Sequence, residues 1–132
     1  MKIVLGVLVA LIGLAGIAFG LQVLAAESGE VVVLGTSGPE GPHETRLWIV
    51  DADGAQWLRA GHAGAGWAGH IAADPSVSVT RGGASASYTA VPVPEATPRI
   101  NALMAEKYGW ADAYIGFLYS RTEAVAIRLD PR

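Results

Sequence analysis

Two kinds of hydrophobic patterning divide the chain. From Ile3 to Leu21 every residue is uncharged, and no polar face recurs at the period of an amphipathic helix. As a helix this run would be about 28 Å long, close to the ~30 Å hydrocarbon thickness of a bilayer. After Glu27 the apolar residues come instead in short runs separated by segments rich in glycine and proline, which is typical of β-strands and turns.

The apolar segment predicts a single-pass membrane anchor over residues 1–26, and a cleaved signal peptide is the alternative. Its apolar core is longer than the ~7–15 residues usual in signal peptides, although small residues at its end would suit a cleavage site. Lys2 precedes the segment, whereas Glu27 and Glu30 follow it. The positive-inside rule therefore predicts that the remaining domain, residues 30–132, lies outside the cytoplasm.

Short runs rich in β-forming residues predict six strands in this domain. They are Glu30 to Thr36, Thr45 to Asp51, Ala55 to Ala60, Ser76 to Thr80, Ala84 to Val91, and Ala124 to Asp130. The pairs Asp53-Gly54 and Gly82-Gly83 favour hairpin turns. The composition of Ser37 to Glu44 predicts a loop.

Two helices are predicted between the strands. Residues 66–74 have a helical pattern that stops at Pro75, and a second helix is expected to begin with Thr97 as its N-cap and Pro98 in its first turn. Apolar residues at helical spacing predict its core face: Ile100, Leu103 and Met104. Mainly antiparallel strands in about a hundred residues indicate a small closed or partly closed barrel.

Composition narrows the function classes. A net charge of −3 argues against a nucleic-acid surface dominated by phosphate contacts. The absence of cysteine excludes disulfides, thiolate nucleophiles and cysteine-ligated metals. Histidines 43, 62 and 70 form no HxxxH or HExxH pattern, so no metal site is predicted. No serine lies in a G-x-S-x-G elbow, which leaves a hydrolase triad without support.

The stretch "WLRAGHAGAGWAGH" (residues 57–70) carries the main candidate chemistry. Gly64 to Gly69 matches G-x-G-x-x-G, but a dinucleotide fold needs a βαβ unit and an acidic residue about 20 positions later, and neither is present. A glycine-rich loop leading into a helix N-terminus does suit an anion such as a phosphate. Arg59 would add charge and Trp67 would pack against a flat ring. The alternative is a surface loop with Trp67 in the core.

Five segments, taken in order, resemble the deazaflavin-dependent nitroreductase family. They are "ETRLWIVDADGAQWLRAG", "GWAGHIAADPSVSV", "YTAVPV", "LMAEKYGWADAYIGF" and "AVAIRLDP". This family belongs to the flavin-binding split β-barrels, which include the pyridoxamine-phosphate oxidases. The resemblance covers about residues 30–131. It implies a mainly β fold, a six-stranded split β-barrel with two helices, with F420 or FMN as cofactor and a homodimer whose interface completes the pocket.

The resemblance also implies which residues meet the cofactor. They are Arg59, Ala60, Gly61, His62, Gly64 and Trp67, with Arg46, His43 or Arg81 as further cations. Tyr114 and Tyr119, expected after the last helix, are candidates for the substrate side. Family members carry a basic turn after the first strand, whereas the turn here, Gly38 to Gly41, is acidic.

Three functions follow as expectations. The first is a membrane-anchored oxidoreductase that transfers a hydride to a small acceptor such as a quinone or nitro compound, with the anchor favouring lipophilic acceptors. The second is a non-catalytic split barrel that binds a flavin, haem-like or lipid ligand. The third is a structural barrel without a cofactor. The first is the main expectation, and the acidic turn and the extracytoplasmic placement are the features that favour the second.

Overall fold

The computed structural model describes residues 1–27, 29–61 and 66–132, and this part of the chain holds four helices and seven strands. The helices are α1 (Lys2–Ala26), α2 (Gly66–Ala73), α3 (Thr97–Tyr108) and α4 (Trp110–Leu118). The strands are β1 (Val31–Gly38), β2 (Gly41–Trp48), β3 (Val50–Ala52), β4 (Ala55–Ala60), β5 (Ser76–Arg81), β6 (Ala84–Pro92) and β7 (Val125–Pro131).

One bent segment of the chain, which consists of β2 and β3 with a single residue between them, closes the sheet. The strands pair antiparallel in the order β2-β1-β5-β6-β7-β4-β3, so β2 and β3 are the two edges. Only Ile49 separates them in sequence. The stretch therefore pairs with β1 before the bend, where Val31 faces Trp48, and with β4 after it, where Val50 faces Trp57. The predicted strand from Thr45 to Asp51 is thus two strands, which raises the count from six to seven and curls the sheet into a barrel.

Tyr108, the last residue of α3, holds this bend. Its hydroxyl oxygen accepts the N–H of the fully buried Ile49 at 3.0 Å and lies 2.6 Å from the Glu30 carbonyl oxygen, to which it donates. Lys107 donates to the Ile49 carbonyl at 2.8 Å. The Trp48 ring stacks on the Tyr108 ring, with centroids 4.3 Å apart. The backbone groups that the bend removes from the strand ladder are therefore satisfied by side chains.

Both predicted hairpin turns are confirmed, and the loop predicted for Ser37 to Glu44 is wrong. Asp53, Gly54 and the pair Gly82-Gly83 all have positive φ, as a two-residue turn of type I′ requires. The strands β1 and β2 continue to Gly38 and Gly41, which leaves a turn of only two residues. The proline of β2 is tolerated because β2 is an edge strand, where one side of the ladder has no partner to lose.

The barrel encloses one hydrophobic core, and α2 packs into it, which is the alternative given above for Trp67 and not its predicted contact with a ligand ring. Trp67, Ala68 and Ile71 of α2 are buried against inward side chains of the strands. These include Val32, Leu34, Leu58, Ala60, Val77, Val79, Ala90, Ile127 and Leu129. In β7, Ile127 and Leu129 alternate along the strand and are both buried in this core.

A second apolar cluster attaches α3 to the outside of the barrel. The predicted face residues Ile100 and Met104 are buried there, together with Trp57 on the outward side of β4. The N-cap prediction is wrong. A 3-10 turn, Pro94–Ala96, precedes α3, and Thr97 uses its hydroxyl to accept the N–H of Ala126 at 3.0 Å instead of capping the helix.

The helix α4 was not predicted. Gly109, with a φ of 55°, ends α3 and turns the chain directly into α4. Tyr114 therefore lies within a helix and not after the last one. At the other end of the chain, α1 is long and apolar enough to cross a membrane, and none of its most apolar window is buried against the domain.

The Tyr108 hydroxyl provides a test of the bend. We expect Tyr108→Phe to lower the free energy of unfolding by about 1–3 kcal/mol, because the buried Ile49 N–H loses its acceptor. Urea unfolding of the full chain measures the change. Tyr88→Phe is the matched control, because within the described ranges the hydroxyl of the half-buried Tyr88 accepts from the Gln56 side chain alone. Equal effects of the two variants would show that the bend does not depend on Tyr108.

Glu30 makes stability depend on pH. Hydrogen bonds from Arg81 and then Lys107 lower the pKa of Glu30 from its usual value near 4.5 to about 2. Its stabilising effect is therefore complete above about pH 4.5 and declines as the pH falls toward 2, because the unfolded chain binds the proton first. We expect Glu30→Gln to cost about 0.5–1 kcal/mol at pH 7, since these groups are partly exposed.

The free energies of unfolding of the wild type and of Glu30→Gln, measured between pH 7 and 2, test this effect. The difference between wild type and Glu30→Gln should shrink through the interval from about pH 4.5 to 2. Glu123→Gln, at an exposed position, should change little at any pH. A difference that stays constant down to pH 2 would contradict the assigned pairing.

Candidate functional site

Arg59 is the centre of the candidate site. Along β4 the side chains alternate, so Ala60 points into the barrel core and Arg59 points outward. The Arg59 side chain is nevertheless only 6% exposed, because α3 and α4 cover it. It donates to Asp112 of α4 at 2.8 Å and to Asn101 of α3 at 3.3 Å.

Arg59 and a second arginine share one carboxylate oxygen of Asp112. Arg121, which follows α4, donates to the same Oδ1 atom of Asp112 at 2.9 Å. Burial, followed by the neighbouring charge of Arg59, lowers the pKa of Arg121 below its usual value. The cluster of Arg59, Arg121 and Asp112 has two positive charges and one negative charge, a surplus of one positive charge, and water has little access to it. Such a place favours an anion.

A cavity of about 180 Å³ opens beside this cluster. It lies between the outer face of the barrel, α3, α4 and the end of α1. Its lining combines three cationic side chains with apolar ones: Ala26, Arg46, Leu47, Trp48, Arg59, Gly61, Met104, Ile115 and Arg121. This combination suits a ligand that has an anionic group on an apolar or aromatic body.

The structure brings together part of the predicted site. Arg59, Gly61 and Arg46 all line the cavity. Ala60 and Trp67 lie in the barrel core and do not line it. His62 and Gly64 lie outside the described residues.

Of the further cations, only Arg46 lies at the cavity. It is exposed and forms a two-bond ion pair with Glu27, at 2.7 and 2.9 Å. Arg81 is occupied by Glu30 and Asp51 away from the cavity. His43 packs edge-on against the ring of His70, near the turn between β1 and β2.

The two tyrosine candidates contact α1 and do not line the cavity. The Tyr114 hydroxyl donates to the Ala18 carbonyl at 2.9 Å, and the Tyr119 hydroxyl accepts from the Gln22 side chain at 2.7 Å. Both tyrosines therefore connect the barrel domain to the N-terminal helix.

Asp112 is the residue of the candidate site that the sequence did not nominate. It is the single charged residue of the apolar segment "WADAYIGFL", and it is buried. An isolated carboxylate in an apolar helix is a signal of a buried partner. That signal does not name the partner, because Arg59 is 53 residues away in sequence.

The size of the cavity limits what it can enclose. Pockets for drug-sized ligands and cofactors span roughly 300–1,000 Å³, so 180 Å³ fits a phosphate or one edge of a ring system and not a whole flavin or haem. The charge of the lining fits the anionic part of such a group. The described residues contain no group of three or more histidine, aspartate or glutamate side chains that could hold a metal ion.

Comparison with known proteins identifies the fold. No family model matches the chain, and no curated protein sequence matches it. Solved structures with the split-barrel fold of pyridoxamine-phosphate oxidase-like proteins do match. A conserved hypothetical protein of Mycobacterium tuberculosis, Rv2991, is 26% identical with a TM-score of 0.58, over 89% of this chain and 79% of that one.

Two further matching structures are proteins whose names refer to a cofactor or ligand. An F420 reductase is 18% identical with a TM-score of 0.55, over 82% of this chain and 90% of that one. The haem storage protein HutZ of Vibrio cholerae is 16% identical with a TM-score of 0.58, over 86% of each chain. At these identities the likeness establishes the fold alone. The chain is therefore a split β-barrel, as predicted, while membership of the nitroreductase family stays a prediction.

Proposed function

We propose that the chain is a membrane-anchored oxidoreductase that binds F420 or FMN and reduces small lipophilic acceptors of the quinone or nitro type. The observation that carries this proposal is the surplus positive charge of Arg59, Asp112 and Arg121 beside a cavity with apolar walls. The split-barrel fold, which an F420 reductase shares, supports a cofactor of this kind.

The residues of the cavity have distinct roles in this proposal. Arg121 and Arg59 bind the anionic part of the cofactor, and Asp112 orients both guanidinium groups. Trp48 gives a flat wall whose position is set by stacking on Tyr108. When bound and reduced, such a cofactor supplies a hydride, and a quinone that takes this hydride and one proton becomes the hydroquinone. The described lining holds no carboxylate, histidine or tyrosine, so we assign the proton to water.

The position of the cavity supports a lipophilic acceptor. Ala26, the last residue of α1, is part of its lining, and the Trp48 indole donates to the Ala26 carbonyl at 2.9 Å. If α1 spans a bilayer, the cavity lies close to the membrane surface, where such acceptors dissolve. A second copy of the chain facing the cavity would enclose the remainder of the cofactor, which is the homodimer that the resemblance implies.

A non-catalytic barrel that binds haem, flavin or lipid is the second candidate. The haem storage protein HutZ shares the fold, and an open site with arginines also suits haem propionates. The small enclosed volume favours this candidate, because a redox site gains from a pocket that excludes water.

Ligand titrations with an arginine variant test both candidates. The full chain in detergent is titrated separately with F420, FMN and haem, and binding is read from visible absorption and tryptophan quenching. We expect micromolar binding of F420 or FMN. Arg121→Gln should weaken it about 10- to 100-fold, because a charge-assisted hydrogen bond contributes about 1.5–3 kcal/mol.

Arg99→Gln is the matched control. Arg99 is an exposed arginine of α3 that pairs with Asp53 outside the cavity, so its loss should leave the affinity unchanged. Binding of haem alone would replace the first candidate by the second. Equal weakening by both variants would move the site away from Arg121, and binding of none of the three would leave a lipid-binding or a structural barrel.

A further inference from the structure

The outward face of α4 is apolar. Trp110, Ala113, Tyr114 and Phe117 recur at the spacing that places residues on one side of a helix. Trp110 is 54% exposed and Phe117 is 87% exposed. The charged residue of α4, Asp112, lies on the opposite side, where it is buried against Arg59. The outward stripe therefore offers aromatic surface to its surroundings and no charge.

This stripe continues the apolar surface of α1. Tyr114 bonds to the Ala18 carbonyl, and Tyr119 bonds to Gln22 one helical turn nearer the domain. The two contacts are about 6 Å apart along the axis of α1. The helix α4 therefore lies beside a defined level of α1, between residues 18 and 22.

That level corresponds to the edge of a bilayer. With 25 residues α1 is about 37 Å long, which exceeds the ~30 Å hydrocarbon core by about 7 Å. Between Lys2 and Gln22 the helix has no charged or amide side chain. Gln22, which is partly buried by the domain, is the first such side chain after Lys2, and only the apolar residues 23–26 follow it before the helix ends. The level of residues 18–22 therefore lies near the domain end of α1.

We propose that α4 lies in the interface of the bilayer that α1 spans, with the stripe of Trp110, Ala113, Tyr114 and Phe117 facing the lipid. This inference rests on the proposed membrane anchor. Lipid is the occupant that the geometry favours, because the stripe is adjacent to a helix whose apolar surface needs lipid at the same level. Tryptophan and tyrosine are the residues enriched at this depth, and an apolar helix face without charge binds there through its buried area.

This placement has a consequence for the cavity. Ile115 of α4 and Ala26 of α1 both belong to its lining. With α4 in the interface, the cavity opens at the level of the lipid headgroups. Arg46 and Arg121 then lie where an amphipathic ligand with an anionic group would present that group.

Spin labels on the full chain test the proposal. The chain has no cysteine, so single labels can be attached to Phe117→Cys and Ala113→Cys on the stripe; the second variant keeps every aromatic residue. Gly13→Cys, at an open position of α1, reports whether α1 is in the bilayer. Glu40 is exposed in the turn before β2, whose first residue, Gly41, is about 24 Å along the strand from Trp48, and Glu40→Cys serves as the aqueous reference.

The chain is reconstituted in phosphatidylcholine vesicles, and the collision rates of each label with oxygen and with a water-soluble nickel chelate are compared. Oxygen concentrates in lipid and the chelate in water. We expect the ratio of oxygen to nickel collisions to be severalfold higher at 113 and 117 than at 40, and highest at 13.

The other outcomes overturn the proposal in distinguishable ways. Labels at 113 and 117 that behave like the label at 40, while 13 is in lipid, would refute the interfacial α4 and leave the anchor intact. A label at 13 that is accessible to nickel would refute the anchor itself. Labels at 113 and 117 that are shielded from both reagents and show spin–spin broadening would assign the stripe to a second copy of the chain.

Discussion

The hydroxyl of Tyr108 fixes the bend at Ile49, and the rest of the structure depends on that bend. Its oxygen accepts the Ile49 N–H, and its proton goes to the Glu30 carbonyl. Because β2 and β3 are the two edges of the sheet, bending the chain between them is what closes the barrel. Tyr108 also ends α3, so the same contact sets α3 on the outer face of the barrel. The turn at Gly109 then carries the chain into α4 and brings Asp112 to Arg59.

Asp112 contributes both to stability and to the proposed binding site. A nearly buried carboxylate that holds two arginines ties β4 to α4 and to the segment after it. Removing one member of a buried ion pair typically costs about 3–5 kcal/mol, because the partner's charge is left uncompensated. With two arginines on one carboxylate, the cluster keeps a surplus of one positive charge. A bound anion would supply the missing negative charge, so the arrangement favours an anion, and its binding would in turn stabilise the fold.

Features set by local chemistry could be predicted from the sequence, and features set by distant contacts could not. The turns at Asp53-Gly54 and Gly82-Gly83 depend on residues that accept positive φ. Apolar and polar residues alternate along the strands and indicate which side chains point inward, so a barrel could be predicted from the sequence. The bend at Ile49 has no such local signal, since its cause is a tyrosine 59 residues further along the chain. A loop pattern and a family resemblance nominated Arg59, Gly61 and Arg46, which line one cavity, and their role in binding stays a prediction. Asp112 could not be nominated, because its contact with Arg59 depends on where α4 packs.

The acidic turn before β2 disfavours an anionic ligand in the cavity less than the sequence suggests, because it lies at the far end of the strand. The cavity is lined by the far end of β2, including Arg46, and Arg46 lies about 17 Å along the strand from Gly41. A surface charge at that distance is largely screened at physiological salt, where the Debye length is about 8 Å. The charge that an anion in the cavity would meet is instead that of Arg59, Arg121 and Asp112, which is partly buried and weakly screened. Recognition in the proposed site thus depends on α4 and the segment after it, and α4 also contacts α1 through Tyr114. A ligand bound there would be held by the part of the barrel that lies closest to the proposed membrane surface.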